Sequence, residues 1–196
     1  QVAGMDGVHW TRMQMMRHGL FWLMIPMIIG PASWGTALFF QQVHLTEVKG
    51  WSLVSFVALM PLYTVTSVIS TFVSGWAVDH FGVNRVTPVQ MLPFALSMAG
   101  VGLMIFGVGQ GMQATATSVF WAEFYGTRYI GSIKAVAAAL MVFGSAIGPG
   151  ITGLFIDLGV DFPEQMIPIS IYYVIAAAMA TTGVLKYQGR LARAQR

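Results

Sequence analysis

The charged residues that could do chemistry in this sequence stand at the ends of long apolar runs. In the stretch GWAVDHFGVNR, Asp79 ends one such run and Arg85 follows six residues later. The dipole of a helix disfavours a carboxylate at its C-terminal end by about 0.3–1 kcal/mol. Asp79 therefore requires a positive partner: Arg85, an arginine of a neighbouring loop, or the N-terminal end of a facing helix.

The residues around Asp79 suit a helix end packed against a neighbour. Gly75 would allow its helix to approach another helix closely. Gly82 suits a turn position with positive φ. An ordinary hairpin loop between two helices is the simpler alternative.

A second acid repeats this arrangement, since Glu123 ends another apolar run and Arg128 follows five residues later. Partly buried ion pairs gain more than the roughly 0.2–1 kcal/mol that is typical of exposed pairs. We predict a charge network of Asp79, Arg85, Glu123 and Arg128 on one side of the molecule. The alternative is that these charges only anchor loops in water.

The composition explains where these charges must lie. Of the 196 residues, 56% are hydrophobic and 9% are charged, against about 25% charged in a typical soluble domain. Apolar runs of about 20 residues cross the hydrocarbon core of a bilayer as helices. The fold class predicted is all-α, a polytopic membrane bundle of six transmembrane helices.

The six spans take up nearly the whole chain, and the chain has no cysteine for disulfides or thiolate-bound metal. No cofactor is expected. Spans three and four share one stretch that is barely long enough for two crossings and is crowded with glycines. The predicted spans are 19–42, 51–78, two within 86–124, 130–156 and 166–186.

The basic residues are distributed unequally between the two sides of this bundle. Nine arginines and lysines fall on the side of both termini, and only Lys49 falls on the other. Because cytoplasmic loops are enriched in Lys and Arg, both termini are predicted to be cytoplasmic, in a bacterial inner (plasma) membrane. This placement explains the net charge of +3 without a nucleic-acid partner; the partner expected is the lipid bilayer.

Three parts of the chain follow from this topology. Residues 1–18 form a cytoplasmic linker or a helix at the membrane surface, with Thr11 and Gln14 as a capping box. Residues 19–187 form the six-helix bundle. Residues 188–196 form a basic cytoplasmic tail. Since the sequence begins with Gln1, we expect it to be part of a longer chain.

Polar side chains inside the spans mark a solute path or a helix contact. Glutamines in span four recur at helical spacing, and similar stripes run along spans one and two. Serines and threonines can instead satisfy carbonyls of their own helix, and glutamines can bridge helices. The candidates for a solute cavity are Trp34, Gln41, Tyr63, Ser67, Gln110, Gln113 and Thr117.

The middle of span five is rich in glycine, which leaves little side-chain volume there, and it contains a proline, which lacks a backbone N–H donor. Such a segment is tolerated in lipid only where other helices cover its backbone. We predict close packing with a kink, which is either static or a bending point. The residues are Gly144, Gly148, Pro149, Gly150 and Gly153.

The loop stretch GWAVDHFGVNR resembles the cytoplasmic loop signature of the major facilitator superfamily of secondary transporters. His80 and Asn84 depart from it, because they stand where the family more often has Lys or Arg. The stretches WAEFYGTRYIGSIK and GSAIGPGITG resemble the fourth and fifth helices of the family's C-terminal half. The resemblance covers about residues 17–190.

This resemblance implies the C-terminal six-helix half of a transporter that moves a small solute by alternating access. In the family, the first, second, fourth and fifth helices of each half line the central cavity. The partner implied is an N-terminal six-helix half, and the charge network would hold the outward-facing state. Gly153 and Asp157 echo Gly75 and Asp79, as two inverted three-helix repeats would do; coincidence is the alternative.

Other functions stay open from the sequence. The chain could be a half-size transporter that works with a second copy, or a membrane sensor or scaffold. An intramembrane enzyme would need paired catalytic side chains at depth, which the sequence does not place there; no enzyme activity is predicted.

Overall fold

The computed structural model describes residues 2–194, and within that part of the chain the regular elements are helices, as the composition predicts. A short 3-10 turn and a π turn accompany the α-helices. They are the 3-10 turn Met5–Gly7, α1 (Arg12–Arg17), α2 (Gly19–Phe40), α3 (Gln42–Lys49), α4 (Leu53–Val57), α5 (Met60–Phe81), α6 (Val83–Val89), α7 (Met91–Leu96), the π turn Ser97–Val101, α8 (Leu103–Tyr125), α9 (Ile130–Asp157) and α10 (Phe162–Ala194).

Four segments are long and apolar enough to cross a membrane, judged by length and composition: Gly19–Phe40, Leu53–Phe81, Ile130–Asp157 and Phe162–Leu191. They coincide with the predicted spans one, two, five and six to within a few residues. The all-α class and the membrane-helix character of the chain are thus confirmed.

In the glycine-rich middle of the chain, one helical segment ends and the next begins at two glycines with positive φ, a conformation that other residues rarely adopt. Gly100 has a φ of 99° and Gly102 a φ of 130°, and between them the helical rod ends. The chain then turns, so that α8 packs back along α7. The crowded stretch between 86 and 124 is therefore two helical arms joined by a tight glycine turn.

The helices associate as two closely packed pairs. α5 runs along α8, and α2 runs along α9, whereas α8 and α9 touch sparsely. α10 packs on α2 and α7 and closes one side. The core between them is aromatic: the rings of Phe94 and Tyr173 stack with centroids 5.2 Å apart, and Tyr173 donates a hydrogen bond to the Gly30 carbonyl at 3.2 Å.

Glycines on α8 allow the first pair to form. A Cβ on Gly107 would collide with Thr66 and with the Tyr63 carbonyl, and a Cβ on Gly111 would collide with the Ser67 carbonyl of α5. At this short distance, hydroxyls of α5 reach carbonyls of α8, as when Ser70 donates to Val108 O at 2.7 Å. Small residues and hydroxyls of this kind drive helix association in lipid.

Glycines on α9 likewise allow α9 to pack closely against α2. Gly148 lies directly on the backbone of Ser33 in α2, and a Cβ on Gly144 would lie 2.8 Å from Ser33 Oγ. The helix continues without interruption through Pro149. A Cβ on Gly150 would meet nothing within 4 Å, and one on Gly153 would meet only Gln41 Nε2, at 3.7 Å. The glycines of span five therefore divide into a packing pair and an uncovered pair.

The described residues before and after the predicted bundle contain helical elements. Thr11 and Gln14 form the predicted capping box at the start of α1, which is confirmed by both of its hydrogen bonds. α10 continues to residue 194, so residues 188–194 of the predicted tail are helical. Residues 195–196 lie outside the described part of the chain.

The contrast between Gly148 and Gly150 gives a test of the packing. Replacing Gly148 with valine inserts side-chain atoms into the Ser33 backbone and is expected to destabilise the fold by about 1–3 kcal/mol or more, as overpacking does. Gly150→Val adds the same volume on an open face and should leave the melting temperature nearly unchanged. Thermal unfolding in detergent measures both; equal melting temperatures would contradict the packing.

Candidate functional site

A cleft between the two helix pairs collects most of the predicted solute-facing residues. Its larger part is a cavity of about 310 Å³ between α2, α8 and α9. Gln110, Gln113 and Thr117 of α8 form its polar wall, and Ile28 and Met141 form apolar walls.

A smaller cavity of about 160 Å³ adjoins the first and shares its two glutamines. Its other walls come from α2, from Tyr63 of α5, from Phe106 of α8 and from Met141 of α9. The two cavities together are lined by α2, α5, α8 and α9. These are the first, second, fourth and fifth of the predicted spans.

The Gln113 amide is the most unusual group in this cleft. Its side chain is only 6% exposed, and within the described residues neither Gln113 nor Gln110 donates or accepts a side-chain hydrogen bond to another protein group. Both amides lie near the middle of α8, where a solute or water in the cleft would satisfy them.

Lys134 brings a positive charge into the same cavity. It is the fifth residue of α9, and its ammonium donates a hydrogen bond to Ser118 Oγ at 2.6 Å. The sequence analysis assigned this lysine only to the cytoplasmic side. Its spacing to Ala137, Ala138 and Met141 places it on their helix face, and all four line the cavity; this periodicity was the available signal.

Three predicted cavity residues lie elsewhere. Trp34 lines a separate pocket beside Tyr172, with the ring centroids 5.6 Å apart. Gln41 donates to Thr152 Oγ1 at 3.3 Å and so bridges α2 and α9. Ser67 lies on the α5–α8 contact, where its carbonyl faces Gly111. Gln41 and Ser67 therefore lie at helix contacts, whereas Trp34 faces a different pocket.

The four predicted network charges lie near helix ends. Asp79 is in the last turn of α5, Glu123 is in the last turn of α8, and Gly82 has the expected positive φ of 82°. A Cβ on Gly75 would meet only Thr115, at 4.0 Å, so closer helix approaches occur elsewhere.

No ion pair joins these acids to Arg85 or Arg128 within residues 2–194. Arg128 instead lies 5.5 Å from the ring centroid of Tyr129. Asp79 and Arg85 are exposed, and Glu123 is half-buried. The network therefore stays a prediction, and it would require another conformation or a partner.

A different charged cluster closes this end of the bundle. Arg190 of α10 forms an ion pair with Asp6, and its Nε donates to both carboxylate oxygens, at 2.9 and 3.1 Å. Arg190 Nη1 also lies 3.0 Å from His18 Nε2, and the guanidinium stands 5.7 Å from the Trp10 ring centroid. This cluster could not be predicted from the sequence, because Arg190 is 184 residues from Asp6 and 172 residues from His18.

Backbone hydrogen bonds fasten the same N-terminal segment to the loop after α8. The Trp10 amide donates to Tyr125 O at 2.9 Å, and the Thr127 amide donates to Val2 O at 3.0 Å. A Cβ on Gly4 would lie 2.5 Å from Phe124 O. Residues 2–11 therefore form a strap across the ends of α8 and α10.

Comparison with known proteins adds no identification: no protein-family model matches the chain, and no curated protein sequence matches it.

Acidification is expected to loosen the N-terminal strap. Burial and the charge of Arg190 lower the pKa of His18 from its ordinary value of 6.5. Below pH 6.5 the strapped state therefore binds fewer protons than the opened state, and the stability that neutral His18 provides is lost as the pH falls through its lowered pKa.

Hydrogen exchange at the Trp10 amide, corrected for the intrinsic rate, measures this opening. Protection should fall on acidification in the wild type. His18→Gln should remove much of this dependence, whereas His80→Gln on the exposed end of α5 should keep it. Protection that rises as the pH falls would contradict the assignment.

Proposed function

We propose that this chain is one six-helix half of a secondary transporter, in which a small solute crosses the membrane by alternating access. The observation that carries the proposal is the cleft between the two helix pairs, with two unpaired amides near the middle of α8. Polar groups at this depth in a membrane bundle are costly and usually mark a solute or ion path.

The low burial of the helices beside the cleft supports the inference that a second helix bundle is its partner. In the most apolar windows of the α4–α5 segment and of α9, only 11% and 17% of residues are buried. Both helices line the cleft, so their uncovered faces border its mouth. A facing bundle would cover these faces and enclose the solute, as the resemblance to the major facilitator superfamily implies. A second copy of this chain is the alternative partner.

The proposed topology has six spans, the third formed by Val83–Val101 and the fourth by α8. This arrangement puts the Gly100–Gly102 turn on the outer side and both termini in the cytoplasm of a bacterial inner-membrane protein. A chain with only the four most apolar spans would keep this turn on the cytoplasmic side. The position of this turn therefore distinguishes the two topologies.

Single cysteines can locate the turn, because the chain has none of its own. We expect Ala99→Cys to react with a membrane-impermeant maleimide added outside intact cells. Leu158→Cys is the outer control and should react, whereas Gly131→Cys is the inner control and should react only after permeabilisation. Labelling of Ala99→Cys only after permeabilisation would contradict the six-span topology.

Transport is tested by uptake of candidate solutes into vesicles that contain the complete gene product, with and without a proton gradient. Gln113→Leu keeps the volume but removes the amide, and we expect it to lower uptake by about tenfold or more, since a lost hydrogen bond in a desolvated site costs about 1–3 kcal/mol. Gln188→Leu, near the end of α10, is the matched control. Wild-type uptake by Gln113→Leu would refute this role of the cleft.

A further inference from the structure

The cleft contains a cation whose counter-charge is not supplied by the described chain. Lys134 lines the larger cavity, and its ammonium contacts the neutral Ser118 hydroxyl. Two ion pairs among the described side chains, Arg190–Asp6 and His44–Asp161, both lie outside the cavity. Lys134 is exposed in the isolated chain, so water partly screens its ammonium, and its attraction for an anion strengthens where a bound solute displaces that water.

We propose that this cavity binds a small organic monoanion, a carboxylate attached to an apolar body. The inference rests on the proposed transport function in taking this bound solute as the one transported. Lys134 supplies one positive charge, and its position in the second turn of α9 adds a weak attraction from the helix dipole. The single positive charge of Lys134 would balance the single negative charge of one carboxylate.

The remaining walls fit the two parts of such a molecule. The amide of Gln113 offers donors for carboxylate oxygens, whereas the Thr117 hydroxyl on the same wall is paired with the Gln90 amide at 3.4 to 3.5 Å. Trp121, Ile28 and Met141 offer an apolar surface for the body of the solute. A small inorganic anion would leave these apolar walls uncovered.

A phosphate of an anionic lipid is the other source of negative charge, because the Lys134 side chain is exposed in the isolated chain. The position of the unpaired amides favours a free solute instead. From Ser118 to Gln110 the polar wall extends about 12 Å along α8, away from its cytoplasmic end. A headgroup phosphate held at Lys134 would leave the deeper glutamines without a partner.

The three lysines of the chain make the test specific. The protein is placed in phosphatidylcholine nanodiscs with ¹⁵N-labelled lysine side chains, and the probes are benzoate, benzamide and benzylammonium. We expect benzoate to shift the Lys134 signal saturably while Lys49 and Lys186 stay unchanged. Benzamide and benzylammonium should bind at least about tenfold more weakly.

Variants separate charge from folding. Lys134→Gln should raise the Kd of benzoate, measured by tryptophan fluorescence, about tenfold or more. Lys134→Arg should largely keep the affinity, and Lys49→Gln is the matched control. Equal binding of benzoate and benzamide, wild-type affinity in Lys134→Gln, or no benzoate binding would overturn the inference. So would a Lys134 signal that responds to phosphatidylglycerol in the nanodisc and not to benzoate.

The two proposals fail in different ways. Uptake of a solute by the wild-type protein, together with wild-type benzoate affinity in Lys134→Gln, would refute the anion site and leave transport standing. Lysine-dependent benzoate binding, with no uptake by the complete gene product of benzoate or of any other solute tested, would keep the anion site and refute transport.

Discussion

Backbone contact between helices is the interaction on which this structure depends. In lipid the hydrophobic effect does not hold one apolar helix against another, so association relies on close packing and on hydrogen bonds. Gly107 and Gly111 bring α8 onto α5, and Gly148 brings α9 onto α2. Hydroxyls of α5 then bond to carbonyls of α8 at this distance. Two tight pairs result, and the space between them is the cleft.

Close packing within each helix pair also determines which polar side chains line the cleft. Gly107 and Gly111 hold one face of α8 against α5, and the neighbouring face, which carries Gln110 and Gln113, borders the cavities between α8, α2 and α9. Lys134 reaches the larger of these cavities from α9. Polar groups that would be costly in lipid are thus grouped where a solute or water can satisfy them. The strap of residues 2–11 meanwhile closes the ends of α8 and α10 through Arg190 and Asp6.

Local features of the fold could be predicted well, because they depend on neighbours in the chain. The capping box of Thr11 and Gln14, the positive φ of Gly82 and the helix end at Asp79 all follow from such short-range rules. About half of the candidate cleft was also predictable, since Gln110, Gln113 and Thr117 share one face of one helix. Trp34 was assigned to the cleft on residue type alone and lies in another pocket.

The sequence by itself determined that the chain is helical and built for a membrane, because length and polarity decide whether a segment can cross lipid. It also predicts that the basic residues gather on the side of both termini, because the spacing of the apolar runs fixes which loops carry them. Only the tertiary structure decided which helix faces meet: that Gly148 packs while Gly150 stays open, and that Lys134 enters the cavity. The direction in which a side chain points is fixed by helix periodicity, but what it meets depends on partners far away in the chain.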